Sequence, residues 1–220
     1  MQSAVVVFPG SNCDRDLVEA VSMETSSKCK ILWHKETTLP TNIDIIFIPG
    51  GFSFGDYLRC GAIAANSPIM RSILDFAHKG GYIVGICNGF QVLTEAGLLK
   101  GTLLRNSKLK FVCKQQELIV NNSDSIITKC FSKKEQLKLP IAHHDGNYFA
   151  DQNILTALEG NGQVLLRYKD NPNGSKNDIA GITSENHRIV GLMPHPERAI
   201  DDELGSNDGS KIFRSLINTF

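Results

Sequence analysis

Short apolar runs alternate with mixed-polarity stretches through the first half of the chain. Residues 4–8 form a β-branched run that stops at Pro9-Gly10, which predicts a first strand. Ser11, Asn12 and Asp14 then offer caps for a helix reaching about Met23. Residues 30–34 and 43–48 predict two more strands. The latter is nearly all apolar, as expected for a strand covered on both faces, and it ends in Pro49-Gly50-Gly51. Ser67-Pro68 pairs an N-cap with proline at the first helical position, and Gly80-Gly81 closes that helix. A strand at 82–86 and a helix at 88–95 follow with almost no connection.

From Lys110 the pattern becomes strand-like, with runs at 110–113, 117–120, 125–128 and 137–142. Residues 179–183 and 188–192 predict an antiparallel pair around a turn at 184–187, and residues 208–218 a closing helix. Strands alternating with helices predict α/β architecture, a single doubly wound, mostly parallel sheet with flanking helices, spanning residues 1–220 as one domain.

Composition narrows the function more than the fold. Lys+Arg 23 balances Asp+Glu 23, so the chain lacks the basic footprint of a nucleic-acid or anionic-membrane binder. The cluster Arg105, Lys108, Lys110 and Lys114 reads as a solvated face. No run approaches the roughly 18 apolar residues of a membrane span. The first residues lack a signal peptide's basic region and cleavage site, which predicts a cytoplasmic protein. Cys13, Cys29, Cys60, Cys87, Cys113 and Cys130 form no C-x-x-C pair, so neither a metal site nor a disulfide framework is expected.

The chemistry concentrates in three places. Gly85-Ile86-Cys87-Asn88-Gly89 lies between an apolar strand and a helix, the setting of a nucleophile elbow with cysteine as nucleophile. Its small flanking residues relieve crowding, and the helix N-terminus aimed at the sulfur favours thiolate. Met193-Pro194-His195-Pro196-Glu197-Arg198 follows another apolar run; two prolines stiffen it, and an extended backbone would turn His195 and Glu197 to the same side. Gly50-Gly51 ends a third strand, where backbone N–H groups can approach a reacting carbonyl. All three lie at carboxyl ends of predicted strands, where open α/β sheets place their sites.

The G-x-C-x-G-x-Q elbow ending at Gln91, the P-G-G loop and the downstream H-P-E together resemble class I glutamine amidotransferases. Pro9-Gly10-Ser11-Asn12-Cys13-Asp14 and Gly55-Asp56-Tyr57-Leu58-Arg59-Cys60-Gly61-Ala62-Ile63-Ala64 narrow the resemblance to glutaminase subunits of phosphoribosylformylglycinamidine synthase. The resemblance implies a flavodoxin-like fold with Cys87 as nucleophile, His195 as acid/base and Glu197 as its orienter. It further implies substrate contacts at Gly51 and Asn88, whose N–H groups would face the oxyanion, and at Gln91, which would help hold glutamine. No metal and no cofactor are implied in this chain. ATP and Mg²⁺ would sit on a large ATP-dependent synthetase subunit, with a small accessory subunit as the third partner. One departure stands out: where the family reads A-H-G-E-G-N, this chain has Ala142-His143-His144-Asp145-Gly146-Asn147.

Two rivals stay open on the residues alone. A γ-glutamyl hydrolase would use the same triad on an extracellular or vacuolar peptide, against which the missing signal peptide speaks. A non-catalytic flavodoxin-like subunit with an oxidant-sensing cysteine would not carry the H-P-E.

Overall fold

The computed structural model describes all 220 residues. The chain runs β1 (Ser3–Val7), α1 (Asp14–Thr25), β2 (Lys30–Trp33), β3 (Ile45–Ile48), α2 (Pro68–His78), β4 (Tyr82–Ile86) and α3 (Asn88–Glu95). It continues with β5 (Thr102–Leu104), β6 (Val112–Val120), β7 (Gln136–His143), β8 (Asn147–Phe149), α4 (Gln152–Gly160) and β9 (Val164–Tyr168). β10 (Ile179–Thr183), β11 (Ile189–Leu192) and α5 (Asp208–Ile217) complete it. Nine strands form one sheet in the order β2-β1-β3-β4-β11-β10-β9-β6-β7, and β5 pairs with β8 apart from it.

The sheet is mixed, and it changes character at one seam. Pairings from β2 to β11 are all parallel. Those from β11 to β7 are all antiparallel. In the parallel half β3 and β11 are buried at every position, which explains their unbroken apolar sequence. In the antiparallel half β7 alternates exposed or half-buried with buried residues, because one face meets water. A single cluster of 54 buried hydrophobic residues, from Ala4 to Leu216, runs under both halves.

Register sets the site. Gly85 stands beside both Ile48 and Gly191, and Ile86 beside Leu192. β3, β4 and β11 therefore end at nearly one level, and the residues that follow, Pro49, Cys87 and Met193, emerge together.

Several elements differ from the sequence expectation. The run at 117–120 and the end of the run at 110–113 belong to one strand, β6, which starts at Val112 and pairs with β7 through Ile119. Residues 125–128 are a turn, not a strand: Thr128 N donates to Ser125 O at 2.9 Å. The sequence pattern does not predict β5, β8, α4 or β9, although α4 carries a signal: Asp151 Oδ1 caps it by accepting from Ile154 N at 2.9 Å. Ser67 precedes α2 as expected, but its hydroxyl makes no capping bond.

Candidate active site

The elbow is built by crowding. Cys87 adopts φ 50°, ψ −104°, a conformation that typically costs of order 1–3 kcal/mol in a non-glycine residue. Cys87 N donates to Leu192 O at 2.7 Å, so β11 holds the turn in place. A Cβ on Gly85 would lie 2.6 Å from the Gly89 carbonyl, and one on Gly89 would lie 2.0 Å from Ile48 O. Both glycines are therefore demanded by backbone contact. α3 starts at the next residue, leaving the thiol at the helix N-terminus with 5% exposure.

His195 reaches the same place from β11. His195 N donates to Pro140 O at 2.9 Å, pinning the backbone to β7. The expected extended geometry does not occur: Pro196–Arg198 form a 3₁₀ turn, for which proline's fixed φ suits the first position. The turn still delivers the pairing, with His195 Nδ1 2.6 Å from Glu197 Oε1, at side-chain exposures of 2% and 0%. Nδ1–H thus donates to the carboxylate and leaves Nε2 for chemistry. Nε2 and Glu197 Oε2 have no hydrogen-bond partner in the chain. Burial alone would push the imidazole down, but the Glu197 carboxylate and the Cys87 thiolate outweigh it and hold His195 well above its ordinary value.

The structure places the other expected residues around this pair. Gly51, at φ 135°, is wedged against Asn12 N and Gly10 O, where no side chain fits. Neither its N–H nor that of Asn88 is taken by a backbone partner, as an oxyanion cradle requires. The side chains of Asn88 and Gln91 are engaged within the chain. Asn88 Oδ1 accepts from Ser53 N at 3.1 Å, and its Nδ2 donates to Gln91 Oε1 at 2.8 Å. Gln91 Nε2 donates to Asp145 O at 2.6 Å. Both amides therefore brace the walls beside the thiol.

The sequence pattern does not predict the roles of three further residues, two of them neighbours of the triad. Cys13 is buried against the triad, its donor atom within 4.8 Å of those of His195 and Glu197. That spacing could serve a cation, but Nδ1 and Oε1 already bind each other. Its signal was the Ser11-Asn12-Cys13-Asp14 string, which carried the resemblance without an assigned role. His143 accompanies the triad from the end of β7, held by Asn106 Oδ1 at 3.1 Å. Burial chiefly, then the charge of His195, lowers it to about 4. Cys60 lies beside Asp56 and Asp145; burial and then those carboxylates push its thiol far up, which makes it a poor nucleophile.

The divergent loop is tolerated. His144, where the family has glycine, is not among the positive-φ residues, so the larger side chain adds no strain. Asp145 faces Arg105 at 3.5 Å and His144 at 3.6 Å. A surface cleft of about 590 Å³ opens behind Glu197, lined also by Asp16, Pro140 and Arg198, and reaches neither Cys87 nor His195.

A family model of the CobB/CobQ-like glutamine amidotransferase domain matches residues 1–212. The chain is 58% identical to phosphoribosylformylglycinamidine synthase subunit PurQ of Roseobacter denitrificans, across 98% of this chain and 97% of that one. It is 52% identical to the PurQ subunit of Lacticaseibacillus paracasei, across 99% and 95%. Among solved structures, PurLQS from Thermotoga maritima contains a chain that matches with a TM-score of 0.90 at 44% identity, covering 99% of this chain and 98% of that one. A glutamine amidotransferase from the same organism matches with a TM-score of 0.68 at 14% identity, covering 100% of this chain and 97% of that one, a likeness of fold alone.

Proposed function

The chain belongs to the CobB/CobQ-like glutamine amidotransferase family, and on that basis we infer that it is the glutaminase subunit of phosphoribosylformylglycinamidine synthase. The whole chain acts as one amidotransferase unit, partnered by the large synthetase PurL and the small subunit PurS. The observation that carries the site assignment is the strained Cys87 facing an imidazole whose Nδ1 is held by Glu197 and whose Nε2 is free.

Cys87 Sγ attacks the side-chain carboxamide carbon of glutamine, and the oxyanion forms within reach of the Gly51 and Asn88 N–H groups. His195 Nε2 gives its proton to the departing ammonia, leaving a γ-glutamyl thioester on Cys87. Nε2 then takes a proton from water, whose oxygen attacks the thioester; glutamate leaves and the thiol is restored. Glu197 keeps Nδ1–H in place and balances the imidazolium charge throughout. Asn88 and Gln91 shape the wall against which glutamine rests.

This chain needs no metal or cofactor of its own for that sequence. ATP and Mg²⁺ belong to the synthetase, where ammonia converts formylglycinamide ribonucleotide to its amidine. No helix is long and apolar enough to cross a membrane. As a subunit of purine synthesis, the protein works in the cytoplasm. The test is Cys87→Ala in the assembled complex: glutamine-dependent synthesis is lost, while ammonia-dependent synthesis stays near wild type. Loss of both activities in a stably assembled complex would refute the division of labour.

A further inference from the structure

Two loops joined to the site wall hold exposed apolar side chains on strained backbone. Leu58 is 93% exposed at φ 68°, and Leu109 is 70% exposed at φ 55°. Positive φ is costly for a bulky residue, and an exposed leucine gains no burial in return. The two loops are one surface: the rings of Phe52 and Phe111 approach to 6.4 Å, and both are themselves half exposed. Each loop is tied at its base to the site wall. Ser53 N donates to Asn88 Oδ1, the residue after the nucleophile. Leu109 O contacts His144 Nε2 at 3.3 Å, and the adjoining Asp145 accepts from Gln91. Strain and apolar exposure thus coincide on the two loops that frame the wall next to Cys87.

We propose that this rim, carried by Phe52, Tyr57, Leu58, Leu109 and Phe111, is the surface on which the synthetase subunit seats its ammonia entry. The proposal rests on the glutaminase reading and deepens it. Ammonia that escapes into water at neutral pH is protonated and ceases to be a nucleophile, so the junction around the site has to be dry. A collar of apolar side chains against an apolar entry excludes water, and residues fixed in advance lose little conformational freedom when they dock. Two other exposed apolar residues, Ile31 and Trp33 on edge strand β2, are not among the positive-φ residues, so exposure there comes without backbone strain.

The test mixes this chain with its own large and small subunits and measures assembly by sedimentation. Glutamine- and ammonia-dependent synthesis are measured in parallel. Leu58→Glu with Leu109→Glu is expected to weaken assembly at least about 30-fold, the scale of central interface residues, and to lower glutamine-dependent synthesis in proportion. Ile31→Glu is expected to leave assembly unchanged. Leu58→Gly removes both the side chain and the strain, so it should melt no lower than wild type and still assemble poorly; that combination separates docking from folding. Assembly of the double variant within about threefold of wild type would overturn the proposal, as would a free wild-type dimer that the same substitutions dissociate. If the unmodified chain failed to assemble at all, the glutaminase reading itself would fall, and the rim's occupant with it.

Discussion

The two halves of the sheet build the active site in opposite ways. The parallel half, β2 to β11, places its groups by tight contacts between stretches of main chain. Cys87 is locked in its turn by Leu192 O, and the glycines around it touch neighbouring main chain. The antiparallel half, β10 to β7, supplies His143 and the carbonyl of Pro140 from β7, whose residues alternate between core and water. Close packing under the elbow means that even a methyl group displaces main chain. In the outer half, side chains can adjust and loops vary, as the replacement of glycine by His144 illustrates.

The largest expected effect tests the seam between the halves. Glu197→Gln preserves packing but cannot balance the charge His195 gains, and turnover should fall by up to about 10⁴-fold with little change in glutamine saturation. Steady-state kinetics in the reconstituted complex, paired with a melting curve, checks this. Turnover within about threefold of wild type would leave a Cys87–His195 dyad and make Glu197 structural.

Within the parallel half, Gly89→Ala drives a methyl into Ile48 O and should cost about 1–3 kcal/mol, as overpacked sites do, with a matching loss of activity as the elbow shifts. Urea unfolding against wild type measures it. An unchanged midpoint with full activity would show that the elbow can relax and would erase the contrast between halves.

The third prediction concerns His143 and pH. Between pH 6.5 and about 4 the unfolded chain protonates this histidine while the folded chain does not. His143 therefore subtracts stability as pH falls through that window, by up to about 1.4 kcal/mol per pH unit, and is neutral above it. His143→Gln, which can still donate to Asn106, should flatten that decline. Unfolding curves at pH 7.5 and 5 are compared; an equal drop in both proteins would show that other groups control acid stability.

The smallest effect is expected on α4, the helix that precedes β9 in the antiparallel half. A methyl on Gly160, at the end of α4, meets nothing within 4 Å, and its backbone is not in the positive-φ region. Gly160→Ala should raise stability by about 0.5–1 kcal/mol, through helix propensity and a less flexible unfolded chain, without touching turnover. A loss of stability comparable to that of Gly89→Ala would contradict the geometry.

The amino-acid sequence alone determined the parallel core, and it singled out Cys87, His195 and Glu197 as the candidates for the site. Buried parallel strands must be continuously apolar, and Pro9-Gly10, Pro49-Gly50-Gly51 and the Gly85–Gly89 elbow punctuate them at the site. The two-faced strands of the other half were harder to read. Their exposed positions broke β6 into two runs, and short β5 and β8 carried too little pattern to stand out. Only the tertiary structure decided which strands abut, and hence that Pro49, Cys87 and Met193 emerge at one level. It also decided that a 3₁₀ turn, not an extended segment, brings Glu197 onto His195, that Cys13 and His143 lie beside that pair, and that Cys60 faces Asp56 and Asp145. Those are contacts between residues far apart in the chain, and register and packing set them; no local periodicity encodes them.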